Sequence, residues 1–434
     1  LNPNQTPSKH RGAYLNDWQP YPVVSESQGQ ASEGPVLMGR VVGLQPDSLT
    51  LQVDQQNHCF SRGLQDCQLL IAEGEVWPRP EPAVVFEVFC PGDWVCLRVC
   101  ERAEQPKAIW LLAPNLLPDF PVAKTTGLAI SFTEFVNQTR RFFTEKGYTE
   151  ASTPTLVKCP GLEPQLEPFA TEWSNGPEDH HFYLPTSPEI HLKKLLCRGW
   201  RRVFEIAKVF RNDVKSRAHR PEFHMLEWYM AFADLCDLQE VLEDYLLSLG
   251  WQQQVWQQVT VSELFLQALQ FELTPETSKQ QLRELCKKQN LDFSAGESFD
   301  DLYQRLWVHH IEPKLEAQQG ATLVRDFPPS QAALARLNAQ GWADRFELYL
   351  NGREVANAYQ ELNDGKEQRR RFVEFQRQRR DDVPVDEEFL RHLDAGMPPA
   401  AGIAVGLERV YMALLGIESI DSVFEFGFEN DSEY

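Results

Sequence analysis

The stretch FRNDVKSRAHRPEFHMLEWY, Phe210 to Tyr229, constrains this chain most, because it puts arginines, a histidine, carboxylates and aromatic rings on one short extended segment. An alternating run, Val203 to Phe210, precedes it, so the pattern predicts two antiparallel strands joined by the basic loop Asn212 to Arg220. With period two, Phe223, Met225, Glu227 and Tyr229 share one face of the second strand, and His224, Leu226, Trp228 and Met230 the other. A carboxylate beside aromatic rings suits a bound organic cation, and a basic loop above it suits phosphates. The alternative for the same residues is an ordinary hairpin with its charges in water.

A length of 434 residues predicts two or three domains. The formal net charge of -21 argues against a general nucleic-acid binder. Two runs are nevertheless basic, Lys193 to Arg220 and Lys366 to Arg380, and such runs are either solvated helix faces or docking surfaces for an acidic partner or RNA. There is no apolar run long enough to span a bilayer and no signal pattern, so the expected location is cytoplasmic. The nine cysteines form no CxxC pair and read as reduced core thiols, Cys96 and Cys100 among them. The histidine pairs His180/His181 and His309/His310 are adjacent, so each pair diverges and makes a poor chelate.

Residues 1–35 are polar and rich in Gln, Ser and Pro, the composition of a disordered tail. Between 36 and 118 the runs VLMGRVVGLQ, SLTLQVDQQ, AVVFEVFC, DWVCLRVC and AIWLLAP alternate with turn residues, which predicts an OB-like β-barrel. A proline-marked linker, Pro114 to Pro121, leads into a larger domain over 119–434. Ser131 and Glu134 predict a capping box on a helix carrying Phe135, Val136, Phe142 and Phe143 and ending at Gly147. Helical text from about Ser262 to Gln318 reads as an insertion.

No P-loop and no strand-GxGxxG-helix unit is present, so a nucleotide here needs another phosphate-binding design. RFELYLNGREVANAYQEL, Arg345 to Leu362, offers part of one. Asn351-Gly352 predicts a two-residue hairpin that sets Tyr349 opposite Glu354, with Glu347 diagonal to Glu354 at roughly 7 Å. Such a pair can share Mg²⁺ ions bound to a nucleotide's phosphates, or simply be solvated surface. Asn357, Tyr359 and Glu361 share a strand face, but Glu354 is out of phase with them. If all four serve one pocket, a bulge near Ala356 is required.

KGYTEASTP, TSPEIHLKKLL, the FRND to EWY segment and AGIAVGLER (Ala401 to Arg409) occur in the order of the motifs of class II aminoacyl-tRNA synthetases. The chain resembles the lysyl group and, within it, the elongation factor P lysyltransferase family. The resemblance runs from about Thr126 to Phe428 and implies an α+β fold with an antiparallel-sheet catalytic core. Two alanines favour that paralogue family over lysyl-tRNA synthetases: Ala356 before Asn357, and Ala404 in motif three. One methyl shifts discrimination by about 10- to 200-fold.

The resemblance implies that ATP activates lysine or β-lysine and that the acyl group passes to elongation factor P, with a homodimer as the assembly. It assigns Arg211 to the α-phosphate, His219 and Arg217 to the outer phosphates, and Phe223 and Arg409 to the two faces of adenine. Arg211 and Arg409 would be the catalytic charges. Glu189 would take the α- or β-ammonium, and Glu227, Tyr229, Asn357, Tyr359 and Glu361 the ε-ammonium, while Glu347 and Glu354 would coordinate Mg²⁺. Asp213 stands where the family has Glu, Ala358 where it has Gly, and Glu408 where it has Asp. Compact members of the paralogue family lack an anticodon-binding domain. The N-terminal β-rich region therefore keeps a tRNA-charging lysyl enzyme as one alternative, and a non-catalytic binding module is another.

Overall fold

The computed structural model describes residues 131–424 except 175–180, 214, 253–255 and 380–382, together with 36–45, 48–53, 56–60, 68–72, 75–76, 93–99 and 106–113. The chain divides into two compact units, Leu1–Leu128 and Ala129–Tyr434. The expected disordered tail, the strand AVVFEVFC, Cys100, His180 and the proline linker lie outside the described residues.

The described residues of the first unit form seven strands: β1 Val36–Gln45, β2 Ser48–Val53, β3 Gln56–Phe60, β4 Gln68–Ala72, β5 Glu75–Val76, β6 Trp94–Val99 and β7 Pro106–Ala113. They form one sheet in the order β3-β2-β1-β6-β7-β4-β5. Only the β4–β7 pair is parallel. Val41, Leu49, Leu51, Val95, Leu97 and Ile109 are fully buried on it, as alternation in each run dictates.

In the second unit, helix α1 (Phe132–Glu145) precedes the edge strand β8 (Thr149–Glu150), the ribbon β9 (Ala170–Glu172) and β10 (His181–Tyr183), and helix α2 (Glu189–Cys197). Strands β11 (Arg202–Phe210) and β12 (Glu222–Ala231) follow, then α3 (Leu235–Ser248) and β13 (Gln257–Thr260). Four short helices make the insertion: α4 Val261–Leu269, α5 Lys279–Lys288, α6 Phe299–Leu306 and, after a π-helical turn at Trp307–Ile311, α7 Glu312–Glu316. The chain ends with β14 (Ala321–Phe327), β15 (Ala343–Leu350), β16 (Arg353–Gln360), α8 (Gly365–Gln378), α9 (Glu387–Ala395), β17 (Ala400–Gly406) and α10 (Leu407–Leu415).

Eight of these strands form a sheet in the order β13-β14-β15-β16-β17-β12-β11-β8. Its interior is antiparallel, and only the outermost pairs at each end are parallel. One face packs on α1, α3 and α10 through an aromatic cluster in which Phe143 meets Phe204, Trp228 and Tyr245. Burying such rings contributes about 1.5–3 kcal/mol each. The insertion builds its own core from Leu264, Phe265, Leu282, Leu302, Tyr303 and Trp307 against β14 and β15.

The cap of α1 is half of what the sequence predicts. Ser131 Oγ accepts from the Glu134 N–H at 3.1 Å, but the Glu134 carboxylate faces Arg141 instead of returning to the cap. The helix does end at Gly147, whose φ of +78° is the left-handed conformation that favours glycine. Cys159, Cys197 and Cys286 are free thiols at least partly buried, whereas Cys59 and Cys236 are free but exposed. Among the described residues no helix is long and apolar enough to cross a membrane.

Candidate active site

A cavity of about 1070 Å³ opens on the other face of the large sheet. Strand β12 supplies its floor. Phe223, Met225, Glu227 and Tyr229 all line it, while Trp228 on the opposite face is fully buried among aromatics. The alternation predicted for this strand is therefore the one the structure has, in register with β11 from Arg202↔Met230 to Phe210↔Glu222.

The hairpin of β15 and β16 carries the expected bulge. Tyr349 pairs with Glu354, but Leu348 pairs with Ala356 and Glu347 with Asn357, so Val355 is the extra residue. That one insertion brings Glu354 into phase with Asn357 and Tyr359 and onto the face that carries Glu347. It does not bring Ala356 with them. Ala356 borders the cavity but pairs with Leu348 and Val405, one step out of phase with Asn357. Ala404 pairs with both Glu227 and Asn357, so it is the alanine placed on the pocket face. Gly402, next on that face, lies between Tyr229 and Tyr359. A Cβ there would stand 2.2 Å from the Tyr229 ring and 2.3 Å from Glu361 Oε1, so the pocket's shape depends on this glycine.

At the deep end, carboxylates gather out of water. Glu227 and Glu361 are 1% and 2% exposed. Glu227 accepts from Ser187 Oγ at 2.5 Å on Oε1 and from the Tyr229 hydroxyl at 2.9 Å on Oε2. Burial, then the charge of Glu189, pushes the Glu227 carboxyl up to about 8 against those two hydrogen bonds. Burial likewise lifts Glu361 to about 8, although Lys193 pulls the other way.

Lys193 is the cation that sequence reasoning missed. Its Nζ stands 2.5 Å from Glu189 Oε1 and 2.5 Å from Glu361 Oε2, and the residue is fully buried. Burial opposes its charge, but Glu189 and Glu361 outweigh that and hold its pKa above the ordinary lysine range. The signal was present as an i,i+4 Glu–Lys pair, Glu189 and Lys193, in the segment that folds as α2. The Asn357 amide donates to the Tyr359 hydroxyl at 3.0 Å, and its own buried oxygen has no partner among the described residues.

Toward the opening the residues are basic. The Arg211 guanidinium lies 5.3 Å from the centre of the Phe223 ring, and its buried Nε has no partner among the described residues. Arg409, on the first turn of α10, donates to the Glu354 carbonyl at 3.0 Å and lies 2.6 Å from His219 Nε2. His219 Nδ1 in turn meets Ser216 Oγ at 2.8 Å. Burial first, then Arg409, lowers the His219 pKa, which keeps the ring neutral and able to accept. Asp213 lines the cavity from an exposed position. Arg217 is exposed, is not among the lining residues, and offers its carbonyl to the Ile420 N–H at 2.8 Å.

Two further residues hold these in place. Glu408 is 1% exposed and accepts from the His224 N–H at 2.9 Å while meeting His224 Nδ1 at 2.7 Å, which ties α10, and so Arg409, to β12. Arg345 bonds Glu347, donates to the Gln331 carbonyl at 2.7 Å and lies over the Phe327 ring. The Tyr349 hydroxyl donates to the other Glu347 oxygen at 2.9 Å. Burial, opposed by Arg345 and reinforced by Glu354, raises Glu347 to about 7. Among the described residues no group of three or more His, Cys, Asp or Glu forms an all-protein metal cage. Two carboxylates on one face are still a donor set that suits Mg²⁺, which takes its remaining ligands from phosphates and water.

The family model for class II tRNA synthetases (D, K and N) matches residues 123–430. An elongation factor P–(R)-β-lysine ligase homolog from Aquifex aeolicus is 38% identical over 292 residues, 67% of this chain and 96% of that protein. The elongation factor P–(R)-β-lysine ligase of Proteus mirabilis is 36% identical over 304 residues, 68% of this chain and 92% of the relative. That of Klebsiella pneumoniae is 38% identical over 301 residues, covering 66% and 90%. With the antiparallel sheet and the motif residues gathered on one of its faces, these matches identify the chain as an enzyme of the class II aminoacyl-tRNA synthetase family, belonging to its elongation factor P lysyltransferase branch.

Proposed function

We propose that this enzyme uses ATP to activate lysine or β-lysine as an aminoacyl-adenylate and then transfers the acyl group to a lysine of elongation factor P. One observation carries the reading: Glu189, Glu227, Tyr229, Asn357 and Tyr359 line the same cavity as Arg211, with Glu361 buried behind them on Lys193, so a diamino acid and a phosphate both have places in it. The names of the relatives support the acceptor.

In the first step the substrate carboxylate attacks the α-phosphorus in line and pyrophosphate leaves. No side-chain nucleophile is required. Glu227 and Glu361 hold the ε-ammonium with Tyr229, Asn357 and Tyr359, and Glu189 takes the α- or β-ammonium, which fixes the carboxylate for attack. Arg211 and Arg409 stabilise charge as it develops on the phosphates, with Phe223 and Arg409 on either side of adenine, Asp213 toward adenine, and His219 and Arg217 at the outer phosphates. Glu347 and Glu354 would hold Mg²⁺, which neutralises phosphate charge when bound. In the second step the acceptor amine displaces AMP from the acyl carbon.

The same proposal includes a homodimer working in the cytoplasm, where ATP and the protein acceptor occur together. A paired assembly is supported by the β8 edge and the exposed Phe232 (69%) and Trp200 beside it, an apolar face with a free strand edge. We assign 119–434 to catalysis and 36–118 to an OB-like barrel, whose β-rich text favours a second reading, charging of a lysine tRNA. ATP–pyrophosphate exchange across α-lysine and both β-lysine enantiomers, followed by transfer assays, tests the scheme. Labelled elongation factor P is the expected result. Charged tRNA with unlabelled protein would favour the second reading, and no exchange with any isomer would overturn both.

A further inference from the structure

The loop joining β8 to the β9–β10 ribbon brings a carboxylate into the cavity that no motif predicts. Glu163 lines it together with Gly161 and Thr186. Its backbone is pinned, because Arg379, at the end of α8, donates to the carbonyls of Glu163 at 3.0 Å and Leu166 at 2.9 Å. The carboxylate reaches inward only because residue 161 is glycine: a Cβ there would stand 2.7 Å from Glu163 Oε2 and 2.9 Å from Thr186 Oγ1. Thr186 is 1% exposed, and its hydroxyl has no partner among the described residues. A buried hydroxyl left unpaired beside a carboxylate costs about 1–3 kcal/mol, so this corner is built for a donor that arrives with a ligand.

The charges around it say which donor. Glu189, the carboxylate first assigned to the substrate's backbone-end ammonium, already has one oxygen on Lys193 at 2.5 Å. Glu163 has no ion pair among the described residues, though Glu189, Lys193 and Arg211 all act on it electrostatically. An ammonium carries three N–H donors and binds well only where several acceptors converge.

We propose that Glu163, seconded by the Thr186 hydroxyl, receives the backbone-end ammonium of the diamino acid alongside Glu189, and so determines which amino acids are activated. This deepens the proposed function and rests on it. Burial, then the charge of Glu189, raises the Glu163 carboxyl above the usual range, as befits a group awaiting a cation.

The test uses the full chain and 6-aminohexanoate, which keeps the carboxylate and the ε-ammonium but has no second amine. Lysine isomers and 6-aminohexanoate are compared by ATP–pyrophosphate exchange, and binding is measured separately by calorimetry without ATP. For the preferred isomer, Glu163→Gln is expected to lower kcat/KM and affinity by about ten- to a hundredfold, as for one lost hydrogen bond to a charged group. Its effect on 6-aminohexanoate should stay within about twofold, because that substrate never makes the contact. Glu163→Asp should restore part of the loss, and Gly161→Ala should reproduce the selectivity by displacing the carboxylate. Equal losses on both substrates would reduce Glu163 to a structural role, and an unchanged preference would remove it from recognition; either overturns the proposal. Binding that depends on Glu163 without any exchange would instead sink the adenylation reading and leave this one standing.

Discussion

The two ends of the cavity solve opposite problems. At the deep end Glu227 and Lys193 are buried on regular elements, β12 and α2, with Glu361 one residue past β16, and each has polar or charged neighbours before any substrate arrives. At the open end Asp213, Arg217 and His219 are exposed on a loop whose Arg211 and Arg220 side chains are more enclosed. Desolvated carboxylates discriminate strongly, because an ammonium that fails to meet them leaves a buried polar group unpaired. Exposed cations in water attract polyphosphate at little cost and with little selectivity. Specificity therefore belongs to the sheet and nucleotide capture to the loop.

The largest effect expected from breaking this contrast is at Lys193. Lys193→Met strands Glu189 and Glu361 without their cation, and denaturant unfolding should register a loss of about 3–5 kcal/mol. At the boundary between the two ends, Arg211→Ala should lower the exchange rate by about 10²–10³-fold with near-wild-type stability, since its charge is needed when phosphate charge develops.

A smaller effect comes from pH. Glu227 and Glu361 have carboxyls raised to about 8, so at pH 6 both are mostly protonated, and each must ionise to hold an ammonium. Lysine affinity should rise from pH 6 to 8 by about tenfold per unit for one such group and level off above it. Their stability contribution runs the opposite way: it is complete below the unfolded carboxylate range and lost as pH rises through about 8. Titrations of lysine KM and of unfolding midpoint across this window should thus move in opposite senses. The smallest effect belongs to Arg217→Ala, which should raise the KM for ATP by only about two- to threefold, as for an exposed charge. A loss comparable to that of Arg211→Ala would show the loop to be as preorganised as the sheet.

Much of this arrangement was legible from residues in order. Period-two alternation put Glu227 and Tyr229 on one face of β12, and the Asn-Gly turn fixed the Tyr349↔Glu354 pair. The parity conflict between Glu354 and Asn357 demanded a bulge, which lies at Val355. Two local details came out otherwise. The Ser131 cap formed, but Glu134 found Arg141 instead of the cap. Ala356 borders the cavity but stands out of phase with Asn357, because the bulge precedes it by one residue, while Ala404 takes the pocket-facing position.

The sequence by itself determined the strands, the faces of their side chains, the turn and the bulge, because each follows from backbone geometry over a few neighbouring residues. Only the tertiary structure decided which charges meet. Lys193 reaches Glu361 across 168 positions of chain and Glu408 reaches His224 across 184. Gly161 clears space for Glu163, and Gly402 for the Tyr229 ring. These contacts are governed by packing and desolvation, and neither exists until the sheet, the helices and the loop above them have closed around one cavity.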